Sequence, residues 1–324
     1  MLQPPRRGAA LLLAMLILTL VATLAAGMLW QQNRAMQVEA AERVRTQSLW
    51  ILGGAIDWAR LILREDLRSS NSQGQVPIDS LDEIWATPLA EARLSSFLSA
   101  DRDNNAEGGP EAFISGQIVD AQSRWNLRRL IDPAGKLVAA ELATLERLCA
   151  QANLPGGTAQ ILAEGLRSAW APSTGGPGAA VADAPLAPQR MADLAWLGIE
   201  AEWLERLSQW VDLLPVATPV NLNTAPREVL AAAIDGMDPG SAERLVQARQ
   251  REPFKTVEAA KALLSQEQMK DASRVSVTSS WFIATGRLRL DDRAVEERAL
   301  IERQPNQVVV VRRERVNLTI GPGS

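Results

Sequence analysis

The stretch Arg6-Arg7-Gly8-Ala9-Ala10-Leu11-Leu12-Leu13-Ala14-Met15-Leu16-Ile17-Leu18-Thr19-Leu20-Val21-Ala22-Thr23-Leu24-Ala25-Ala26-Gly27-Met28-Leu29-Trp30 decides how the rest of the chain is read. From Ala9 to Trp30 it carries no charge over 22 residues. As an α-helix that run is about 33 Å long, enough to cross a hydrocarbon core of about 30 Å. Arg6 and Arg7 hold its N-terminus in the cytoplasm, so the remaining chain is expected beyond the cytoplasmic membrane. A secretory signal peptide has a shorter apolar core, with small residues at a cleavage site on its far side. Here the small residue next to the arginines is Gly8, on the near side. A cut between Gly8 and Ala9 would remove a basic leader, 1–8, and keep a membrane helix, 9–30. An ordinary signal anchor whose glycine happens to follow two arginines is the competing reading of this stretch taken alone.

Composition excludes whole classes of chemistry. The 324 residues include no histidine, no tyrosine and a single cysteine, Cys149. Neither a Cys/His zinc site nor a Ser-His-Asp or Cys-His nucleophile can be assembled, and no disulfide can close within the chain. Cys149, in the helix-like Leu145-Glu146-Arg147-Leu148-Cys149, reads as a small buried hydrophobe. A net charge of −4 argues against a broad nucleic-acid footprint. Ten tryptophans against four phenylalanines, mostly in helical patterns, read as core packing.

From Gln31 to Arg68 there is no proline, and Val44, Leu49, Leu52, Ile56, Ala59, Leu63 and Leu67 recur at helical spacing. Trp50, Ile51, Trp58, Leu61 and Ile62 broaden that stripe, so 31–68 is expected to continue the membrane helix as an amphipathic rod. Gly53-Gly54 is its weak point, at about 1 kcal/mol per glycine. Residues 69–80 and 99–111 are loop-like, Trp85 to Leu98 reads as an extended or short helical piece, and Phe113 to Asp120 reads as a strand. From Pro133 to Ala272 the pattern is helical, in three helix–turn–helix units separated by a Pro/Gly/Ala-rich loop, 171–188. The tail then changes period. Arg274–Leu290, Val295–Arg303 and Val308–Val316 read as three antiparallel strands, with Gln304-Pro305-Asn306-Gln307 as a turn. The lone strand 113–120 needs those strands as partners, which makes 133–272 an insertion between 69–132 and 273–318.

Two constellations could carry chemistry. Asn221-Leu222-Asn223-Thr224-Ala225-Pro226 and the third helical unit resemble a helix-hairpin-helix, a module that can cradle DNA phosphates on hairpin amides. Gly236-Met237-Asp238 puts a carboxylate where the second hairpin glycine belongs. Residues 221–262 also balance Arg227, Arg244, Arg249, Arg251, Lys255 and Lys261 against six acids. Both features point to a protein-binding or structural module and no nucleic acid. Asp101, Asp103, Asn105 and Glu107 place oxygen ligands at alternate positions, as in the opening of an EF-hand loop, with Glu111 and Asp120 near enough to help. Ala106 and Ala112 replace the loop's glycine and closing carboxylate, so a solvated acidic loop is the alternative. Hard oxygen ligands favour calcium. No motif points to an enzyme.

Taken together, Arg6-Arg7-Gly8-Ala9 with its helix, Asp57-Trp58-Ala59, Asp120-Ala121-Gln122-Ser123-Arg124-Trp125-Asn126-Leu127 and Asn221-Leu222-Asn223-Thr224-Ala225 resemble the minor pseudopilin K family of the type II secretion system. The likeness covers essentially the whole chain. It implies an α+β, pilin-like fold: a long N-terminal transmembrane helix packed on a small antiparallel sheet, with a large all-helical domain inserted. It also implies leader removal by a prepilin peptidase with methylation of the new N-terminus, a place in the inner membrane with the globular part in the periplasm, and calcium in that part. The implied partners are the I and J minor pseudopilins in a tip complex, the inner-membrane secretion machinery, and lipid around residues 9–30. Most pseudopilins have Glu at the fifth position after the cut. Leu13 stands there, a departure that the K family shares. The competing assignment, a membrane-anchored helix-hairpin-helix DNA receptor of the competence type, needs a basic face and intact hairpin glycines, and this chain has neither. Mass spectrometry of the mature protein is expected to show a first residue of Ala9, and a bulky residue in place of Gly8 to leave the leader attached. A mature start at Met1, or beyond residue 25, would contradict the pseudopilin reading.

Overall fold

The computed structural model describes residues 7–72, 77–94, 112–170, 185–265, 268–290 and 293–319. Helix α1 (Arg7–Ser72) begins at the arginines and continues without a proline to break it. The chain divides into two compact units, Met1–Gly54 and Ala55–Ser324, so the division falls at the expected weak point, Gly53-Gly54. In the first unit Leu13, Leu16, Leu20 and Leu24 are all more than half exposed. A helix apolar on all sides suits lipid, and α1 contains a stretch long and apolar enough to cross a membrane. Its Thr19 and Thr23 hydroxyls donate back to the Leu16 and Leu20 carbonyls, which satisfies them without water.

The second unit is built on a five-stranded antiparallel sheet in the order β1-β2-β7-β8-β9. Its strands are β1 (Leu89–Arg93), β2 (Ala112–Asp120), β7 (Trp281–Leu290), β8 (Arg293–Arg303) and β9 (Val308–Thr319). As its isolation in sequence requires, β2 pairs with the C-terminal meander, from Ala112↔Leu290 to Asp120↔Phe282. The turn after β8 closes through Gln304 and Gln307, each amide donating to the other's carbonyl. The first tail strand starts later than its Val/Ser/Thr content suggests. Residues Ala272–Arg274 form a 3-10 turn capped by Asp271, and only from Trp281 does the chain join the sheet.

Ile56, Ala59 and Leu63, one helical stripe of α1, pack against Trp85, Ile118, Phe282, Ala284 and Ile301. The Trp85 and Phe282 rings meet edge to face at 5.2 Å. Arg60 ties the helix to the sheet by donating twice to the Val308 carbonyl, at 3.1 and 3.0 Å. The stripe is narrower than the sequence suggests, since Trp58 and Leu61 are 46% and 59% exposed. Tryptophan as a marker of core also fails in part. Trp85 and Trp125 are buried, whereas Trp50 and Trp196 lie mostly in solvent.

Between β2 and β7 the chain makes the helical insertion. It holds α2 (Ala139–Gln151), α3 (Thr158–Ala169), a 3-10 helix (Met191–Leu197) and α4 (Ala201–Leu207), followed by α5 (Arg227–Ala233), α6 (Pro239–Arg251) and α7 (Val257–Lys261). These match the three expected helical pairs with two differences: the second pair opens in 3-10 geometry, and its second helix, expected to reach Leu213, ends at Leu207, after which Val211–Asp212 form a short strand. Leu145, Leu148, Leu162, Leu166, Leu207 and Leu230 are among its fully buried side chains. Gly165 allows close contact here, because a Cβ at that position would stand 3.2 Å from Leu197 Cδ1. Cys149 sits within this core, and burial pushes its thiol up to about 12, so it behaves as an apolar filler. Two short parallel pairs, β3 (Trp125–Asn126) with β4 (Val211–Asp212) and β5 (Val220–Asn221) with β6 (Val275–Ser276), stitch the insertion together near its root.

Candidate functional site

Where the chain leaves the sheet for the insertion, Asp120 is the last residue of β2 and the cap of the 3-10 turn Ala121–Ser123. It is almost fully buried, yet it is supplied with donors from both lobes. Its Oδ1 accepts from the Gln122 amide at 2.7 Å. Its Oδ2 accepts from Asn221 Nδ2 at 3.0 Å, Ser279 Oγ at 2.6 Å and Thr224 Oγ1 at 2.5 Å. Burial pushes this carboxyl up to about 6, against the pull of those hydrogen bonds.

Asn221 is the hub on the insertion side. Besides Asp120, its amide nitrogen donates to the Asp79 carbonyl and to Ser279 Oγ, each at 3.0 Å, while its Oδ1 accepts the Asn223 amide at 2.9 Å. Asn223 repeats the device one turn on, exchanging side-chain hydrogen bonds with both backbone groups of Phe254. The Asx geometry of Asn-x-Asn thus serves the backbone of a loop that has no ladder to use. Asn126, from the run Asp120–Leu127, donates to the Val216 carbonyl and Thr218 and accepts the Leu214 amide. Gln122 completes the junction by donating to the Pro219 carbonyl and accepting the Ser280 amide.

A second buried node lies deeper in the insertion. Glu141 accepts from Trp125 Nε1 at 3.0 Å, Arg129 Nε at 2.9 Å and Arg274 Nη2 at 3.0 Å. The helix-hairpin-helix expectation also meets a physical explanation. Asp238 Oδ1 accepts the Ser241 amide at 3.0 Å and caps α6, so the chain's own carboxylate takes a helix N-terminal donor and places a negative charge where a phosphate would sit.

Of the residues singled out in the sequence, Gly8 and Ala9 fall in the first turn of α1. Asp101, Asp103, Asn105, Glu107 and Glu111 lie outside the described residues. Asp120 is the one member of that set with a described environment, and three donors already converge on its Oδ2. Sequence reasoning passed over Asp79, Ser279, Arg303 and Glu141. Asp79 sits in a stretch read as loop, and nothing local distinguishes it from a solvated aspartate.

Part of this junction, including Asn221, Asn223 and Thr224, lies in a segment with known relatives. A model of the family described as type II secretion system (T2SS), protein K, matches residues 220–278. The type II secretion system protein K of Pseudomonas aeruginosa is 30% identical over 268 residues, covering 78% of this chain and 74% of that protein. This chain belongs to the type II secretion system protein K family. The protein K of Pectobacterium carotovorum is 28% identical over 95% of this chain and 96% of its own length. A crystal structure of the GspK-GspI-GspJ complex from the enterotoxigenic Escherichia coli type 2 secretion system contains a chain of the same fold. Its TM-score is 0.59 at 19% identity, over 85% of this chain and 98% of that one. The helix-on-sheet unit with its helical insertion is therefore a family fold, and protein K membership outweighs the DNA-receptor reading.

The node makes a measurable demand. Asn221→Ala would leave the Asp79 carbonyl short of a donor and Asp120 with one fewer, a loss on the order of 3 kcal/mol. Denaturant unfolding should show it, with the helical content of the insertion retained at low denaturant. A loss under about 1 kcal/mol would mean that the junction is held by packing alone.

Proposed function

We propose that this member of the protein K family is the minor pseudopilin that joins the I and J pseudopilins in a tip complex, initiating and capping the pseudopilus that drives export of folded proteins across the outer membrane. The observation that carries this reading is the rigid mounting of the insertion: a large helical mass fixed to the pilin-like sheet by the Asp120–Asn221 junction. A filament shaft needs subunits that stack, and a bulky, immobile insertion opposes stacking. Leu13 fits the same role. A carboxylate there would be costly in lipid without a partner amine, and a subunit at the tip has no further subunit to supply one. The reading places α1 in the inner membrane with lipid around 9–30, the second unit in the periplasm, and a prepilin peptidase at the Gly8–Ala9 bond. The role is one of assembly, not catalysis. The crystallised relative was solved in a complex with its I and J counterparts, which supports the choice of partners.

Co-expression is the direct test. Tagged full-length protein should co-purify with the I and J pseudopilins of the same system, and its overproduction should shorten pseudopili. Deleting 133–272 should relieve that shortening. Filaments decorated along their length by an antibody to this protein would overturn the tip assignment.

Calcium is proposed for the 101–111 segment, through Asp101, Asp103, Asn105, Glu107 and Glu111. Asp120 would anchor the base of the strand through its hydrogen bonds rather than by ligation. Millimolar calcium should then raise the melting temperature by mass action, and Asp103→Ala should abolish the rise. A shift that survives Asp103→Ala, or no shift at all, would return the segment to a solvated acidic loop.

A further inference from the structure

Beside the junction lies a group of charges that the assembly role does not use. Asp66 on α1, Asp79, and Glu83 bring three carboxylates within 4.8 Å of one another. Arg303 from β8 is the cation set among them. Its Nη1 lies 2.8 Å from Asp66 and its Nη2 2.5 Å from Asp79, and its guanidinium lies 4.8 Å from the centre of the Phe282 ring. Its Nη2 also donates to the Ser279 carbonyl at 2.9 Å. The single positive charge is thus committed to Asp66 and Asp79. Glu83 receives instead a neutral donor, the indole N–H of Trp85. Three carboxylates sharing one guanidinium away from bulk water cannot all ionise cheaply, and a retained proton is the least costly remedy.

The position of Glu83 gives that proton mechanical leverage. Glu83 occupies the N-cap position of the 3-10 turn Ile84–Ala86, and its carboxyl engages the turn through the Trp85 indole N–H rather than through a capping hydrogen bond. This turn drives Trp85 into the core between α1 and the sheet and leaves Ile84 at the surface, 82% exposed. Next to it runs an apolar groove of about 290 Å³, lined by Ile56, Ala59, Ile62, Trp85, Pro88 and Ile118. Whatever loosens the turn loosens one wall of the groove.

We propose that Glu83, ringed by Asp66, Asp79 and Arg303, is a proton-operated latch: with its proton it holds the 83–86 turn against α1 and keeps the groove wall rigid, and without it the turn is released. In the protonated form the O–H is shared with a neighbouring carboxylate, while the other oxygen accepts the Trp85 N–H. On opening, the proton passes to solvent and leaves an ordinary exposed glutamate. Burial, reinforced by the charges of Asp66 and Asp79 and opposed by Trp85 and Arg303, lifts this carboxyl from its usual 4.5 to about 8. Because the folded value is the higher one, the stabilisation is complete below about 4.5 and is lost as pH rises towards about 8. Asp120, raised in the same direction to about 6, still titrates at the lower end of this range, so the loss that approaches pH 8 is the part that belongs to Glu83.

Hydrogen exchange of the full chain in lipid nanodiscs, read by mass spectrometry from about pH 6.5 to about 9, tests the latch. After correction for intrinsic exchange, protection of amides 82–88 should fall by up to about tenfold per pH unit and level off near pH 8. Glu83→Gln, which keeps an acceptor for Trp85 but cannot titrate, should be flat across the range. Asp66→Asn, which removes a neighbouring negative charge, should keep the fall but move its midpoint to lower pH. Constant protection in the wild type, a parallel fall in Glu83→Gln, or an upward midpoint in Asp66→Asn would each overturn the proposal.

Discussion

A carboxylate almost sealed from water sits where the insertion leaves the sheet, and the arrangement of the second unit depends on how it is satisfied. Desolvating Asp120 costs several kcal/mol, which only direct donors can offset. Four of them do so, from Gln122, Asn221, Thr224 and Ser279, at about 1.5–3 kcal/mol each for hydrogen bonds to a charged group. Those donors come from the exit of the insertion, its interior and its return. Displacing any one segment leaves a buried charge underserved, so the three are fixed together. Apolar packing alone would hold the lobes together without fixing their angle so sharply, since dispersion and hydrophobic contact carry little direction. In this protein the polar junction supplies orientation, while the leucine-rich core of the insertion supplies most of its cohesion.

The same economy of donors explains what the insertion does not do. A helix-hairpin-helix binds phosphate through open amides, and here Asp238 takes the Ser241 amide and sets its own charge beside it. The Ser241 hydrogen bonds hold this carboxyl below the usual range, as expected of an acid stabilised by donors at a helix N-terminus. The module has kept its helices and its turn glycine, Gly236 at φ 68°, while its ligand-facing chemistry has been turned inward.

Around the sheet, charge is handled in two ways. Glu297 is fully buried but has two arginines, Arg313 and Arg315, within 3.2 and 2.8 Å. The Asp66–Asp79–Glu83 group has one arginine for three acids. The first arrangement is balanced and static. The second is short of positive charge, which makes the proton part of its structure. Glu297 sits on the sheet strand β8, whereas the three-acid group gathers around the end of α1 and the 83–86 turn.

The sequence by itself determined the features that depend on neighbours along the chain. An uncharged run from Ala9 to Trp30 is long and apolar enough for a membrane-length helix, and the stripe at Ile56, Ala59 and Leu63 follows from helical spacing. The Val/Ile alternation of the tail and the helical pairs of the insertion are likewise local. The motifs at Asp120–Leu127 and Asn221–Ala225 were visible as a family resemblance, but their task was not, because it consists of contacts between segments a hundred residues or more apart. Only the tertiary structure decided that Trp58 and Leu61 face outward while Trp85 is buried. Only the fold made Asp79, Ser279 and Arg303 meet Asp120 and Glu83. Periodicity reports which side of an element is apolar, whereas a buried charge is located by where its donors come from, and those are brought together only when the chain has closed on itself.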